Sequence, residues 1–340
     1  MITGSYPPDI CGVGDYTARF IDAADEKEWK LYYSSNWRLV SLKKKIREIN
    51  SFECENIFMQ YPTQGYGWSL LPQMLCLYYS LFTNKTFIVV LHELSQRSFK
   101  AKIASVLLLL ANRVIFTNDF EKKYAIHYLP FFKHKYFTIR ILPNIAPANF
   151  DNTHSWVERQ YDVVYFGHLR PLKGLEDFFD AINTIQKRGI KTLKVAIIGQ
   201  VLPEYQTYVS DLKSKYSSLQ LDYYLSVSVE KVSALLNKAK IAFLPFPDGV
   251  SERRGSFLAA IYNGALVLTY RGPFVTESLN KICYFTTPHK AYSDIVSLLD
   301  TITDSTYKEK RNAIKDYIHN DLPNSWAEIV NLYKYVCKTI

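Results

Sequence analysis

The stretch Val163-Val164-Tyr165-Phe166-Gly167-His168-Leu169-Arg170-Pro171-Leu172-Lys173-Gly174 holds the turn of an α/β unit. Its first four residues are β-branched or aromatic, as a buried strand requires. Two cations and a glycine follow, and residues 175–188 then read as a covering helix. Ligands of such sheets gather at the carboxyl ends of the strands, so this turn is a candidate site. Arg170 offers a planar fork of donors and Lys173 a point charge. Together with helix amides they suit a pyrophosphate. The competing interpretation is a solvated basic loop.

The same unit recurs on both sides. After the strand at 162–166, further strands are predicted at 194–198, 219–225, 241–245 and 265–270, alternating with helices near 203–216, 229–238 and 255–263. Upstream, the apolar runs 56–60, 86–91, 113–117 and 137–142 read as parallel strands, with 70–83 and 99–112 as covering helices. The opening Met1-Ile2-Thr3-Gly4 leaves only a stub for a first strand, which is either very short or begun before these residues. The polar, aperiodic segment 149–158 (NFDNTHSWVE) is predicted to link the two series. The expectation is an α/β protein with two Rossmann-like domains, 1–150 and 151–320, their parallel sheets facing across a cleft. Residues 321–340 complete it, with a helix over 326–339 docking on a domain face. A length of 340 residues suits two cores better than one.

Composition narrows the partners. The net charge is +9, and basic residues exceed acidic ones by roughly six within the first 150. The N-terminal half should therefore meet something anionic, either an acidic membrane surface or a phosphate-bearing substrate. Lys43-Lys44-Lys45 and the pair Lys100, Lys102 are the cations in view, with an ordinary solvated face as the alternative. Nucleic acid is not expected, because no zinc spacing, aromatic ribonucleoprotein motif or basic-region helix is present. The cysteines, Cys11, Cys54, Cys76, Cys283 and Cys337, are odd in number and scattered, which implies free thiols, a reducing compartment and no metal site. The apolar stretches 70–82 and 103–111 are too short to span a bilayer, and no signal peptide precedes the first motif. A cytoplasmic protein, soluble or peripheral on the inner face of the membrane, is expected.

Other turns carry chemistry. Pro7-Pro8-Asp9-Ile10-Cys11-Gly12-Val13-Gly14 has two glycines that let backbone amides approach a ligand, although it lacks the third glycine of a dinucleotide fingerprint. His92-Glu93 ends the strand 86–91, and an imidazole there can donate to developing charge or accept a proton. A structural histidine bonded to backbone is the alternative. Asn118-Asp119 and Pro143-Asn144 end two more strands and read as caps or turns. Leu244-Pro245-Phe246-Pro247-Asp248-Gly249-Val250-Ser251-Glu252-Arg253-Arg254-Gly255-Ser256 joins a buried strand to a helix. Its adjacent arginines before Gly-Ser form an anion-binding terminus.

In order along nearly the whole chain, SYPPDICGVGDYT, VVLHE, ANRVIFTND, ILPNI, YFGHLRPLKG, VAIIG and LPFPDGVSERRGS resemble the motifs of the GT-B glycosyltransferases, specifically the retaining family numbered four. The resemblance implies a nucleotide-diphosphate-sugar donor as co-substrate, retention at the anomeric carbon and no metal or other cofactor. By position, Gly12 and Gly14 match the N-domain loop near sugar and phosphates, His92 the histidine facing the transferred sugar, and Lys173 the phosphate lysine. The family's arginine after the strand glycine is His168 here, with Arg170 as a displaced substitute. In the ExxxxxxxE signature, alignment on Gly264 puts Ser251 and Ala259 where the glutamates stand, with Glu252 one position off. The GVSERRGS form resembles a variant in which the arginines and Ser256 take the phosphates. The implied donor set is thus Gly12, Gly14, Arg170, Lys173, Ser251, Arg253, Arg254, Gly255 and Ser256, with His92 and Lys173 catalytic.

The expected activity moves a sugar to a glycan or lipid-linked acceptor in cell-surface polysaccharide assembly. Two rivals stand beside it. A GT-B nucleotide-sugar epimerase would need cleft carboxylates, of which the sequence offers few. A degenerate nucleotide-sugar-binding partner is favoured by the missing glutamates and opposed by Lys173 and the Arg253-Arg254 pair. The donor sugar and base depend on pocket shape around 224–228.

Overall fold

The computed structural model describes residues 1–146 and 154–338. Two compact units result: Met1–Leu142 with Pro323–Ile340, and Pro143–Leu322. The expected boundary at 150/151, and the first half of the expected linker, lie outside the described residues. The end of that linker is no loose tether. Trp156 is buried against the Tyr307 ring and its amide donates to Asp304, while Arg159 is buried and donates to the carbonyls of Asn237 and Ala239.

The first unit has six strands: β1 (Ile2–Thr3), β2 (Tyr32–Tyr33), β3 (Asn56–Tyr61), β4 (Thr86–Leu91), β5 (Arg113–Phe116) and β6 (Tyr136–Thr138). They pair in parallel in the order β2-β1-β3-β4-β5-β6. In β4 the residues Phe87, Ile88, Val89, Val90 and Leu91 are all fully buried. A parallel strand covered by helices on both faces shows such an unbroken apolar run instead of alternation. The opening stub is thus a two-residue strand hydrogen-bonded on both sides. The C-terminal helix Trp326–Lys338 belongs to this unit: Tyr333 lies between Phe20 and Phe58, and its hydroxyl meets that of Tyr16 at 3.1 Å.

The second unit also has six parallel strands: β7 (Tyr161–His168), β8 (Val195–Gln200), β9 (Leu221–Leu225), β10 (Ala239–Leu244), β11 (Leu266–Tyr270) and β12 (Tyr284–Thr286). Their order is β12-β11-β10-β7-β8-β9. Strand order reverses where β7 meets β10, which is where open α/β sheets hold ligands, in a crevice beyond the carboxyl ends of the strands. The two basic segments of the sequence are the loops that follow β7 and β10.

Several expectations shift. The strand predicted at 137–142 spans only Tyr136–Thr138, because the chain then runs toward Pro143, and the helix predicted over 99–112 ends at Val106 and tightens to a 3-10 turn, Leu107–Leu110. β2 and β12 had no sequence signal, since two or three residues cannot show alternation. The helix Asp304–Asp321 also escaped notice. Its buried stripe of Tyr307, Arg311, Ile314 and Tyr317 is mostly polar-headed. That stripe has structural work: Arg311 donates to the Ile261 carbonyl at 2.6 Å and Tyr307 to that of Gly264 at 2.9 Å. Both hold the carboxyl end of the helix Gly255–Tyr262, whose other end faces the crevice, and a cation suits that negative terminus.

Candidate active site

The crevice of the second unit is built by contact between its two loops. Gly174, at the start of the helix Leu175–Lys187, has φ +75°, and a β-carbon there would stand 1.8 Å from the Pro245 carbonyl oxygen. Only glycine combines that left-handed backbone with so close an approach. Tyr165, buried in β7, donates its hydroxyl to the Lys173 carbonyl at 3.2 Å and holds the cationic turn from beneath. Lys173 and Arg170 are both half-buried. Burial lowers the pKa of His168, and the positive charges of Lys173 and then Arg170 lower it further. Two cations thus flank the imidazole, and their charge disfavours its protonated form.

Across the crevice the helix Gly255–Tyr262 begins after Arg254. It has no side-chain cap and no acidic residue in its first turn, so its terminal amides present positive potential. A β-carbon on Gly255 would meet nothing within 4 Å, so space stands open at that end. Ser251 is buried, and its Oγ has no hydrogen-bond partner among the described residues. Arg254 is more committed than the sequence suggested. Its guanidinium pairs with Asp248, its Nε donates to the Gly249 carbonyl at 3.1 Å, and it lies over the Phe246 ring. Arg254 thus shapes the loop besides lending charge. Ala259 is buried within the helix, and Glu252 accepts from Thr276 at 3.1 Å.

In the first unit, Gly12 and Gly14 open the helix Gly12–Ala23, but for different reasons. A β-carbon on Gly14 would lie 3.0 Å from the Ser5 carbonyl oxygen, whereas one on Gly12 would meet nothing within 4 Å. Gly14 serves the protein's own packing, and Gly12 borders open space. His92 is buried just past β4 with its Nε2 donating to Gln60 Oε1 at 2.7 Å, and its ring meets the edge of Tyr16. One partner of the ring is thus a side chain, whereas the alternative that the sequence left open was a bond to backbone. Gln60 carried a signal that the sequence reading passed over, an amide set within the apolar residues of IFMQY. Glu121 was also missed. Fully buried, it accepts from the amides of Leu94 and Ser95 at 3.0 and 2.8 Å and so pins the turn that follows His92. Asn118 is a cap, accepting from the Glu121 amide.

No set of three His, Cys, Asp or Glu side chains fit to hold a metal occurs among the described residues. The five cysteines are free, and burial pushes the thiols of Cys76 and Cys283 up to about 12. No described helix is long and apolar enough to cross a membrane.

The crevice residues fall inside residues 148–320, which match the family described as glycosyl transferases group 1. The chain belongs to the group 1 glycosyl transferases. No curated protein matches it at the level of sequence. Among solved structures, Anabaena Alr3699/HepE, in complex with UDP and glucose, aligns with a TM-score of 0.71 at 13% identity over 100% of this chain and 99% of its own. A Rickettsia africae glycosyltransferase aligns at 0.64, with 16% identity over 94% and 88% of the two chains. A variant of S. aureus TarM, solved with UDP among its ligands, aligns at 0.58 with 15% identity over 83% of this chain. This group 1 glycosyl transferase spans only 55% of the TarM chain. At such identities the likeness establishes the fold, which is GT-B.

Proposed function

We propose that this glycosyl transferase takes a nucleotide-diphosphate sugar in its second unit and passes the sugar, with retention and without a metal, to a glycan or lipid-linked acceptor. The observation that carries this is the gathering of Lys173, Arg170, Arg253, Arg254 and the helix terminus at Gly255-Ser256 where the strand order of the second sheet reverses. Such a place offers a diphosphate two cationic loops and a set of oriented amides. In the reaction, the bond from the anomeric carbon to the diphosphate breaks and a bond to the acceptor oxygen forms on the same face. The acceptor's proton leaves with the departing phosphate. Lys173, the arginines and the amides of Gly255 and Ser256 stabilise the charge that accumulates on that phosphate. His92, oriented by Gln60, is assigned to the transferred sugar. UDP is the first nucleotide to try, since Alr3699/HepE and TarM were both solved with it.

The test is a thermal-shift series with UDP, GDP and ADP and their sugars, each with and without EDTA. One nucleotide should raise the melting temperature equally in both conditions. By mass action a ligand at 100 times its Kd adds about 2.7 kcal/mol to the unit that binds it. A rise that EDTA abolishes would overturn metal independence, and no rise with any nucleotide would overturn the donor assignment.

The first unit is proposed to rest on an anionic membrane, at the inner face where a lipid-linked acceptor would lie. The helix Leu71–Phe82 packs beside the turn Leu107–Leu110 that continues the helix Phe99–Val106, and these neighbours expose Phe82 at 75%, Phe99 at 78% and Ile103 at 57%. Lys100 and Lys102 stand among them. Apolar side chains beside cations are what an acidic interface binds. The protein should co-sediment with phosphatidylglycerol vesicles at low salt, less so at high salt, and the F82S/F99S variant should remain in the supernatant. Equal sedimentation of variant and wild type would remove this surface from the proposal.

A further inference from the structure

The first unit holds a cavity of about 300 Å³ past the ends of β3 and β4, lined by residues 61–64, Tyr66, Gly67, Trp68 and Arg97. No motif of the sequence pointed to it. That volume is at the lower end of small-molecule sites and suits one or two sugar rings. Its walls are well braced. Tyr61 and Tyr66 stack at 5.8 Å with 21° between their planes, Trp37 meets the Tyr66 ring edge-on, and Gln73 donates to the Tyr61 hydroxyl at 3.0 Å. The segment that carries Thr63 and Gly65 is tied to the turn after β1, because the Gly4 amide donates to Thr63 Oγ1 and the Gly65 amide to Ser5 Oγ. Arg97 follows the turn that Glu121 pins, so both walls are fixed independently of any ligand.

Two features of this lining ask for a ligand. Trp68 is 87% exposed, an unusual placement for the largest apolar side chain beside a cavity. Arg97 lies over the Tyr61 ring at 5.0 Å, half-buried in the cavity wall. The guanidinium is the group best matched to a carboxylate or phosphate, and an exposed indole gives a flat face to the apolar side of a sugar ring.

We infer that this cavity is an acceptor subsite for a sugar bearing an anionic group, either a carboxylate or a phosphate, with Arg97 on the anion and Trp68 against the ring. The inference rests on the glycosyl-transfer assignment only for the word acceptor, since binding of the anionic sugar is measurable without turnover. Ligand-observed NMR with methyl glucuronide, glucose 6-phosphate and neutral methyl glucoside tests it on the full chain. At least one anionic sugar should bind about tenfold or more tighter than the neutral one, and which of them does so separates carboxylate from phosphate. Arg97→Gln should erase that preference, and Trp68→Ala should weaken all the sugars together. A wild-type circular dichroism spectrum and melting transition in each variant certify the fold. Equal binding of neutral and anionic sugars, a preference that survives Arg97→Gln, or no sugar binding to the wild type would each overturn the inference. A chain that binds these sugars but no nucleotide would instead retain the subsite and lose the donor assignment.

Discussion

Lys173→Ala is expected to lower turnover by about 10² to 10³, the usual cost of removing one preorganised group that stabilises charge on a leaving atom. The side chain follows Pro171-Leu172 on the turn after β7, and its carbonyl is held by Tyr165, so the turn should keep its shape when the amine is removed. Turnover is to be followed as nucleotide release from the donor identified by thermal shift. A group that acts on the leaving phosphate lowers kcat, whereas one that only binds the donor raises KM with kcat unchanged. An independent readout comes from His168, whose pKa is held down by burial and by Lys173. Losing the amine should let the imidazole titrate higher, toward its ordinary value, in an NMR titration. Near-normal turnover in Lys173→Ala would remove the lysine from the mechanism even if His168 responds.

Gly174→Ala is expected to have the largest effect on structure. The left-handed backbone costs a residue with a β-carbon about 1–2 kcal/mol. At this position the added atom would also stand 1.8 Å from the Pro245 oxygen, so the turns after β7 and β10 would have to part. Gly189 supplies the comparison, with φ +61° and nothing within 4 Å of the added atom. Gly189→Ala should show the backbone cost alone. Gly174→Ala should melt lower still, at roughly 2–4 °C per additional kcal/mol for a unit of this size, and should bind the nucleotide more weakly. If the two variants melt alike and bind nucleotide alike, the contact between the two turns is not what shapes the crevice.

Much of the candidate site could be read along the chain because its chemistry is local. HLRPLKG announces a basic turn after a strand, and SERRGS announces the start of a helix with positive charge before it. The same local view misjudged partners. Nothing in SERRGS says that Arg254 pairs with Asp248 and covers Phe246, since both contacts depend on how the loop folds back after Gly249. His92 was visible at the end of an apolar run, but its partner Gln60 lies on the neighbouring strand, 32 residues earlier in the chain. The polar-headed helix Asp304–Asp321 carries few apolar residues. Its stripe became recognisable only when Tyr307 and Arg311 were seen to meet the carbonyls of Gly264 and Ile261.

By itself the sequence determined that two series of parallel strands exist and that their turns are basic, because burial on both faces leaves an apolar run in each strand and turns need glycine and polar groups at fixed places. Strand adjacency was left to the tertiary structure. Only there do β7 and β10 become neighbours, bringing Gly174 against Pro245, and only there do Trp68 and Arg97, from the ends of β3 and β4, line one cavity. Periodicity and turn chemistry act over a few residues, whereas adjacency is set by which buried faces pack together across tens of residues. That choice has no signature in any single segment.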